Sequence, residues 1–444
     1  MSNIEFAKKA LSNTVFAIAD VLLTKCATIL AFVLLVRLLP SEAIAAIGIA
    51  TGYLMFIAYL DIQPIRVLMR DYPSLRSDET KRDELLTAFF GFWCLQVLAM
   101  LLVAILIIIW ILDTLAIPGL QFLYFAMTLD FIALTLQGWI KWVYYANFQQ
   151  RDATRLSFKI SIVRVSAYLL LLVMPALSTY AWILIISAFG SCVVWVAEFR
   201  RRFKFSLIVR RGGLGVVGRS LKDYGIWDHL NRSAVATLFI VDLVILSWFV
   251  GTRDMSAYTV ALRFASLLAL VPAQLTDALQ VASATYHNQG KRLQAINIFL
   301  KVNGIISVAQ FLVILIFGNV LMTFLFGEEM AESAITYAVV IAGGISVFNL
   351  SYPLMGICNN YCKLRKAFLS VYFPGLVVGV LTYILSAAKF GAIGIAWANV
   401  FAYIFIASAL ALFISKSYPI PLRLKLVTPQ EFALIRQFIF GAKN

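Results

Sequence analysis

Residues 241–286 read VDLVILSWFVGTRDMSAYTVALRFASLLALVPAQLTDALQVASATY. An apolar run, a short polar turn at Gly251–Ser256 and a second apolar run follow one another, the pattern of two helices joined as a hairpin. Asp242, Arg263 and Asp277 stand inside the apolar runs. Arg263 and Asp277 are fourteen residues apart, which at about 100° per residue places them on one helix face. Ser266 and Gln274 fall on the same side, and Pro272 lies in the middle of this polar stripe. A charge in hydrocarbon costs at least ~2.5–3.5 kcal/mol unless it finds a partner or water. Such a stripe therefore implies a wet interior, as a carrier requires.

The rest of the chain has the same character. Of its 444 residues 62% are hydrophobic and only 13% charged, and the mean hydropathy is +0.90. These values exclude an ordinary soluble protein and predict an all-α, polytopic membrane protein. The length accommodates about twelve spans of ~20–28 residues. A net charge of +15 does not point to nucleic acid, because the basic residues lie between spans and no nucleic-acid-binding motif is present. Cys26, Cys94, Cys192, Cys358 and Cys362 form no CxxC pair, and two histidines are too few for a zinc site. No GxxxxGK[ST] loop appears, so energy must come from a gradient or a partner, and no cofactor is expected. The apolar run after the N-terminal lysines is too long for a cleaved signal peptide and carries Asp20 and Lys25, so it reads as span 1.

The predicted spans are Asn13–Leu38, Ala43–Gln63, Leu85–Leu112, Gly119–Ile140, Ile160–Leu177 and Tyr180–Phe199, then Ile226–Val250, Ala257–Tyr286, Leu293–Phe317, Ala334–Tyr361, Ala367–Ala388 and Ala392–Ile414. With the N-terminus in the cytoplasm, cytoplasmic segments hold 29 of the 37 basic residues, and the opposite side holds only Arg37, Arg253 and Lys389. That alternation predicts an even number of spans with both termini cytoplasmic. The basic connector 201–225 divides the chain into an N-terminal lobe, 1–200, and a C-terminal lobe, 226–415, followed by a basic tail, 416–444, suited to the membrane surface. The segments LLPSEAIAAIGIATGYLMFIAYLD and FVGTRDMSAYTVALRFASLLALVP echo one another in pattern, as expected of two parallel repeats of six spans with a substrate path between them.

Four segments carry a resemblance to a known family: VLLVRLLPSEAIAAIGIA (33–50), GTRDMSAYTVALRFASLLALVPAQL (251–275), LFGEEMAESAITYAVVIAGG (325–344) and FGAIGIAWANVFAY (390–403). In these the chain resembles the O-antigen and polysaccharide repeat-unit flippases (the Wzx type) of the multidrug/oligosaccharidyl-lipid/polysaccharide (MOP) exporter superfamily. It departs from them in having Ala43 after Pro40-Ser41-Glu42, where a Gly-aromatic turn is frequent, and in lacking any motif that names a sugar. The resemblance implies a V-shaped, MATE-like bundle of two six-helix lobes. It implies a flippase in the bacterial inner membrane that moves an undecaprenyl-pyrophosphate-linked oligosaccharide, such as an O-antigen repeat, to the periplasmic leaflet. Proton or sodium coupling is implied too, with a polysaccharide polymerase and chain-length proteins as candidate partners.

Charged residues within the spans are the candidates for function. Lys25 and Arg263 sit deep, Lys301 lies some two turns into span 9, and Arg164 and Arg232 lie nearer the cytoplasmic ends, where snorkelling is the simpler reading. Lined along a cavity, these five would lower the barrier to a pyrophosphate, Arg by paired donors and Lys as a point charge. Among the acids, Asp130 and Asp242 are mid-span with no basic residue within a turn. A carboxylate at that depth can exchange a proton, as ion coupling needs, or can pair with a cation from another helix such as Lys25 or Arg263. Asp61 and Asp277 lie toward cytoplasmic ends, and Asp20 is about 140° around the helix from Lys25. Trp139, Trp142, Tyr144 and Tyr145 read as an interfacial belt. A cationic-drug antiporter of the same fold is the alternative, and mixed rather than acidic deep charges argue against it. A membrane polymerase or ligase would need a sizeable outer loop or a histidine-centred site. The outward connections are short, and no enzyme is expected.

Overall fold

The computed structural model describes residues 24–62, 78–147, 149–203, 215, 217–218, 221–273 and 289–417. Asp20, Asp277 and nearly all of the basic tail lie outside the described residues. The protein is an all-α, multi-pass membrane protein, and among the described residues nine helices are long and apolar enough to cross a membrane. The last of these, Leu364–Ser417, supplies two crossings, because Gly391 at φ 60° and ψ −141° reverses the chain within it.

The chain divides into two units, Met1–His229 and Leu230–Asn444. In the first, α1 (24–38) and α2 (Ser41–Ala58) precede α3 (Glu79–Trp110), α4 (Leu120–Ala146), α5 (Gln150–Tyr168) and α6 (Leu177–Arg202). α4 is the central helix, packed on α2, α3, α5 and α6. Local chemistry sets the ends. Asp78 caps α3, its Oδ1 accepting from the Lys81 N–H at 3.0 Å. Gly119, at φ 77°, takes the left-handed turn before α4. α5 starts ten residues before the predicted span, because its polar opening turns are held by an ion pair from Arg202 to Asp152 at 2.6 Å rather than by hydropathy.

The second unit begins within α7 (Ile226–Leu238) and continues through α8 (Val241–Phe249), α9 (Thr252–Ser266), α10 (Gln289–Phe326), α11 (Glu328–Asn349), α12 (Ser351–Tyr361) and α13 (Leu364–Ser417, with a π turn at Phe368–Tyr372). α11 packs against α9, α10 and α13. Gly327, at φ 92°, separates α10 from α11, whose first turn carries Glu328 and Glu329 where the helix dipole favours acids.

Burial is inverted relative to a soluble protein on the outer helices. On α10, Leu312, Ile316, Val320 and Phe324 recur every fourth residue and are all exposed. A continuous apolar stripe of this kind is stable only against lipid. The interior correspondingly holds polar side chains such as Asp242, Asn303, Asn349 and Asn399, each fully buried.

Candidate functional site

The main polar node of the second unit grows from a break in predicted span 7. α7 stops at Leu238 and α8 restarts at Val241, with no proline or glycine in between. Asp242 explains the restart, since its Oδ1 accepts from the Leu243 N–H at 2.8 Å, a local bond that competes with the helix ladder. The broken ladder leaves the Leu238 carbonyl available, and the Tyr383 hydroxyl donates to it at 3.0 Å.

Three further side chains reach the same point. Tyr258 donates its hydroxyl to Asp242 Oδ2 at 2.6 Å, and Asn399 Nδ2 donates to the same oxygen at 3.0 Å. Asn399 Nδ2 also lies 2.6 Å from the Tyr258 hydroxyl oxygen, and its Oδ1 faces the Tyr383 hydroxyl at 2.6 Å. Tyr258, Tyr383, Asn399 and Asp242 are all buried. They meet because two hairpins are in register. Tyr383 and Asn399 each stand eight residues from Gly391, while Asp242 and Tyr258 stand on either side of Gly251 at nearly that separation. At 1.5 Å per residue each lies about 12 Å from its turn, close to the middle of a hydrocarbon core about 30 Å thick. Aromatic rings close one side, with Tyr403 stacked on Phe239 at 4.8 Å and against Phe348 at 5.3 Å.

The electrostatics of this node are unusual. Asp242 is held by the Tyr258 hydroxyl, the Asn399 amide and the Leu243 N–H, all neutral donors. Neutral donors stabilise a carboxylate but do not cancel its charge, and a buried uncompensated charge costs several kcal/mol. A proton does cancel it. An alkali cation would do so too, with the hard oxygens of the Asp242 carboxylate, the Asn399 and Leu238 carbonyls and the tyrosines at hand as ligands.

The first unit contains a contrasting site. Arg164 of α5 pairs with Asp130 of α4, Nη2 to Oδ2 at 2.5 Å, and its Nε donates to the Tyr168 hydroxyl at 3.4 Å. Asp130 therefore has a cation from a neighbouring helix, which no reading within one helix reveals, and the two charges neutralise each other. The other predicted residues are spread out. Lys301 is buried on α10, Arg263 is half-buried on α9, Asp61 is buried just beyond α2, and Lys25 and Arg232 are exposed. The predicted aromatic belt needs correcting. Trp139 and Tyr144 are buried among Phe89, Trp195 and Phe199 in the core of the first unit, because α4 is its central helix. Among the described residues no cluster of His, Cys, Asp and Glu could hold a metal.

Sequence reasoning found Asp242 and missed Tyr258, Tyr383 and Asn399. The available signal was their equal spacing from Gly251 and Gly391, together with a lone Asn in the apolar segment IAWANVFAY.

No protein-family model matches the sequence, and no curated protein is similar to it. Solved structures are similar in fold. An inward-facing multidrug resistance MATE family transporter of the MOP superfamily superposes with a TM-score of 0.72 at 12% identity, covering 88% of this chain and 94% of that one. The lipid II flippase MurJ, in an inward closed conformation, gives 0.65 at 15% identity over 98% of this chain and 92% of its own. A mutant of the Vibrio cholerae MATE transporter VcmN gives 0.62 at 14% identity over 93% and 97%. In fold, the chain is similar to MATE transporters of the MOP superfamily and to a lipid flippase.

Proposed function

We propose that this protein is an ion-coupled flippase of the bacterial inner membrane, not an enzyme. It carries an undecaprenyl-pyrophosphate-linked oligosaccharide, an O-antigen or related polysaccharide repeat unit, from the cytoplasmic to the periplasmic leaflet by alternating access between two lobes. The observation that carries the reading is Asp242, a mid-membrane carboxylate with three neutral donors and, among the described residues, no ion pair. Such a group must take up a proton or sodium ion and release it again to be useful, and a gradient supplies the direction. The fold likeness to a lipid flippase supports the cargo class. So do the intramembrane cations Lys301 and Arg263, with Lys25 and Arg232 as further candidates for the pyrophosphate and Arg164 as a cation already engaged by Asp130.

The second reading is a drug or cation antiporter, favoured by the likeness to multidrug MATE transporters. Deleting the gene in its host and extracting lipid-linked sugars from the inner membrane separates the two. A single repeat trapped on the cytoplasmic face is expected. No lipid-linked intermediate, together with new sensitivity to cationic drugs, would move the protein to the antiporter reading.

A further inference from the structure

Two main-chain carbonyls in the second unit are released by prolines. Pro272 has no N–H, so the carbonyl of Leu268 four residues back has no helical donor, and the helix tightens to a 3-10 turn at Leu267–Ala269. Pro353 releases the carbonyl of Asn349 in the same way, at the point where α11 ends and α12 begins. There the Leu350 N–H bonds back to Val347 at 3.1 Å, again the shorter 3-10 spacing.

Each freed carbonyl is met by an asparagine. Asn349 Nδ2 donates to the Leu268 carbonyl at 3.1 Å, and Asn303 Nδ2 donates to the main-chain carbonyl of Asn349. A carbonyl can only accept, so the NH2 of each amide must face it and the orientation of both side chains is fixed. The remaining amide oxygens, Asn303 Oδ1 and Asn349 Oδ1, are buried without a donor among the described residues. Orphaned acceptors are a cost, so these side chains are worth their place only through their N–H groups.

We propose that Asn349 and Asn303 are positioning residues that join the proline bends of spans 8 and 10 into one mechanical element. Asn349 is the link, accepting from Asn303 through its main chain and donating to Leu268 through its side chain. A change of bend in one span is then transmitted to the other. The tie is a property of the folded unit and goes beyond the transport reading, which fails or stands on other grounds.

The test is a double-mutant cycle on the purified full chain, read by thermal unfolding. Pro272→Ala restores an N–H that can bond the Leu268 carbonyl itself. Asn349→Leu should therefore lower the midpoint in the natural background and shift it by less than half as much beside Pro272→Ala; equal shifts overturn the proposal. The pair Asn303→Leu and Pro353→Ala gives the same cycle at the other bend should Asn349→Leu not fold. Transmission is read by hydrogen exchange at Ala269–Val271 in Asn303→Leu, a residue that bonds α11 and not span 8. At least a fivefold faster exchange there is expected. Unchanged exchange at those amides, with faster exchange confined to the Asn349–Pro353 bend, would reduce Asn303 to a local cap and overturn the coupling.

Discussion

Replacing Asp242 by Asn separates holding the break in span 7 from the exchangeable charge that the proposed function assigns to this carboxylate. Two of its three hydrogen bonds arrive at Oδ2, from Tyr258 and Asn399, and the third arrives at Oδ1, from the Leu243 N–H. An asparagine with its carbonyl turned toward Tyr258 and Asn399 keeps the first two and sets an NH2 against Leu243. The loss is one hydrogen bond to a charged acceptor, about 1.5–3 kcal/mol. Against it, removal of an uncompensated buried charge recovers about 3–5 kcal/mol whenever the carboxylate would be ionised. The two terms oppose each other and leave a net gain of at most about 3.5 kcal/mol, so Asp242→Asn should fold with a thermal midpoint no lower than that of the natural protein and within about 5 °C of it. Coupling, in contrast, should vanish, because an amide neither takes up a proton at physiological pH nor carries the negative charge that attracts sodium. The assay is transfer of the lipid-linked cargo across proteoliposome membranes with imposed proton or sodium gradients. The natural protein should respond to one of them and the variant to neither. A variant that keeps the full gradient response would refute the assignment and leave Asp242 as a structural helix cap.

Further substitutions probe the remaining features. Arg164→Ala strands the Asp130 carboxylate that it pairs with at 2.5 Å, so it should destabilise the first unit by about 3 kcal/mol, while Arg164→Gln with Asp130→Asn should cost clearly less in the same thermal assay. Gly391→Ala places a side chain at φ 60° and ψ −141°, a region open almost only to glycine, and should cost about 1–3 kcal/mol; the added Cβ would sit an ordinary 3.7 Å from Val250, so the loss is conformational. Lys25→Gln and Arg263→Gln should each impair export while leaving normal amounts of protein in the membrane, and unchanged export in both would remove the cationic-path argument. Asp78, outside the spans, is held below the ordinary carboxylate range by the Lys81 N–H and ammonium. Its cap on α3 is therefore present above the unfolded Asp value and lost as pH falls through the lowered one, and Asp78→Asn should abolish an acid-induced rise in hydrogen exchange at the α3 N-terminus.

What composition and hydropathy can decide, they decided here. Hydrocarbon admits only backbone that satisfies itself, so long apolar runs between basic loops left helices as the available structure, and among the described residues the helices long and apolar enough to cross a membrane fall where those runs lie. The depth of Asp242 was legible too, because depth is a count of residues from a turn. The partners were not. Asn399 is 157 residues from Asp242 and Arg164 is 34 from Asp130; such pairs are chosen by which helix faces meet, and a run of apolar residues with nearly uniform hydropathy does not say which face is inward. The same limit explains Trp139 and Tyr144, whose place in the core depends on α4 packing against α2, α3, α5 and α6. The broken span 7 and the 3-10 turns before the prolines have local causes, in Asp242 and in the missing N–H of each proline, but the donors that meet the freed carbonyls, Tyr383, Asn349 and Asn303, come from elsewhere in the fold. The sequence by itself determined that the chain is a membrane-spanning helical protein carrying charge at depth. Only the tertiary structure decided which charge is paired with an opposite one and which is met by neutral donors, since buried electrostatics depend on groups a few ångströms away in space, wherever they lie along the chain.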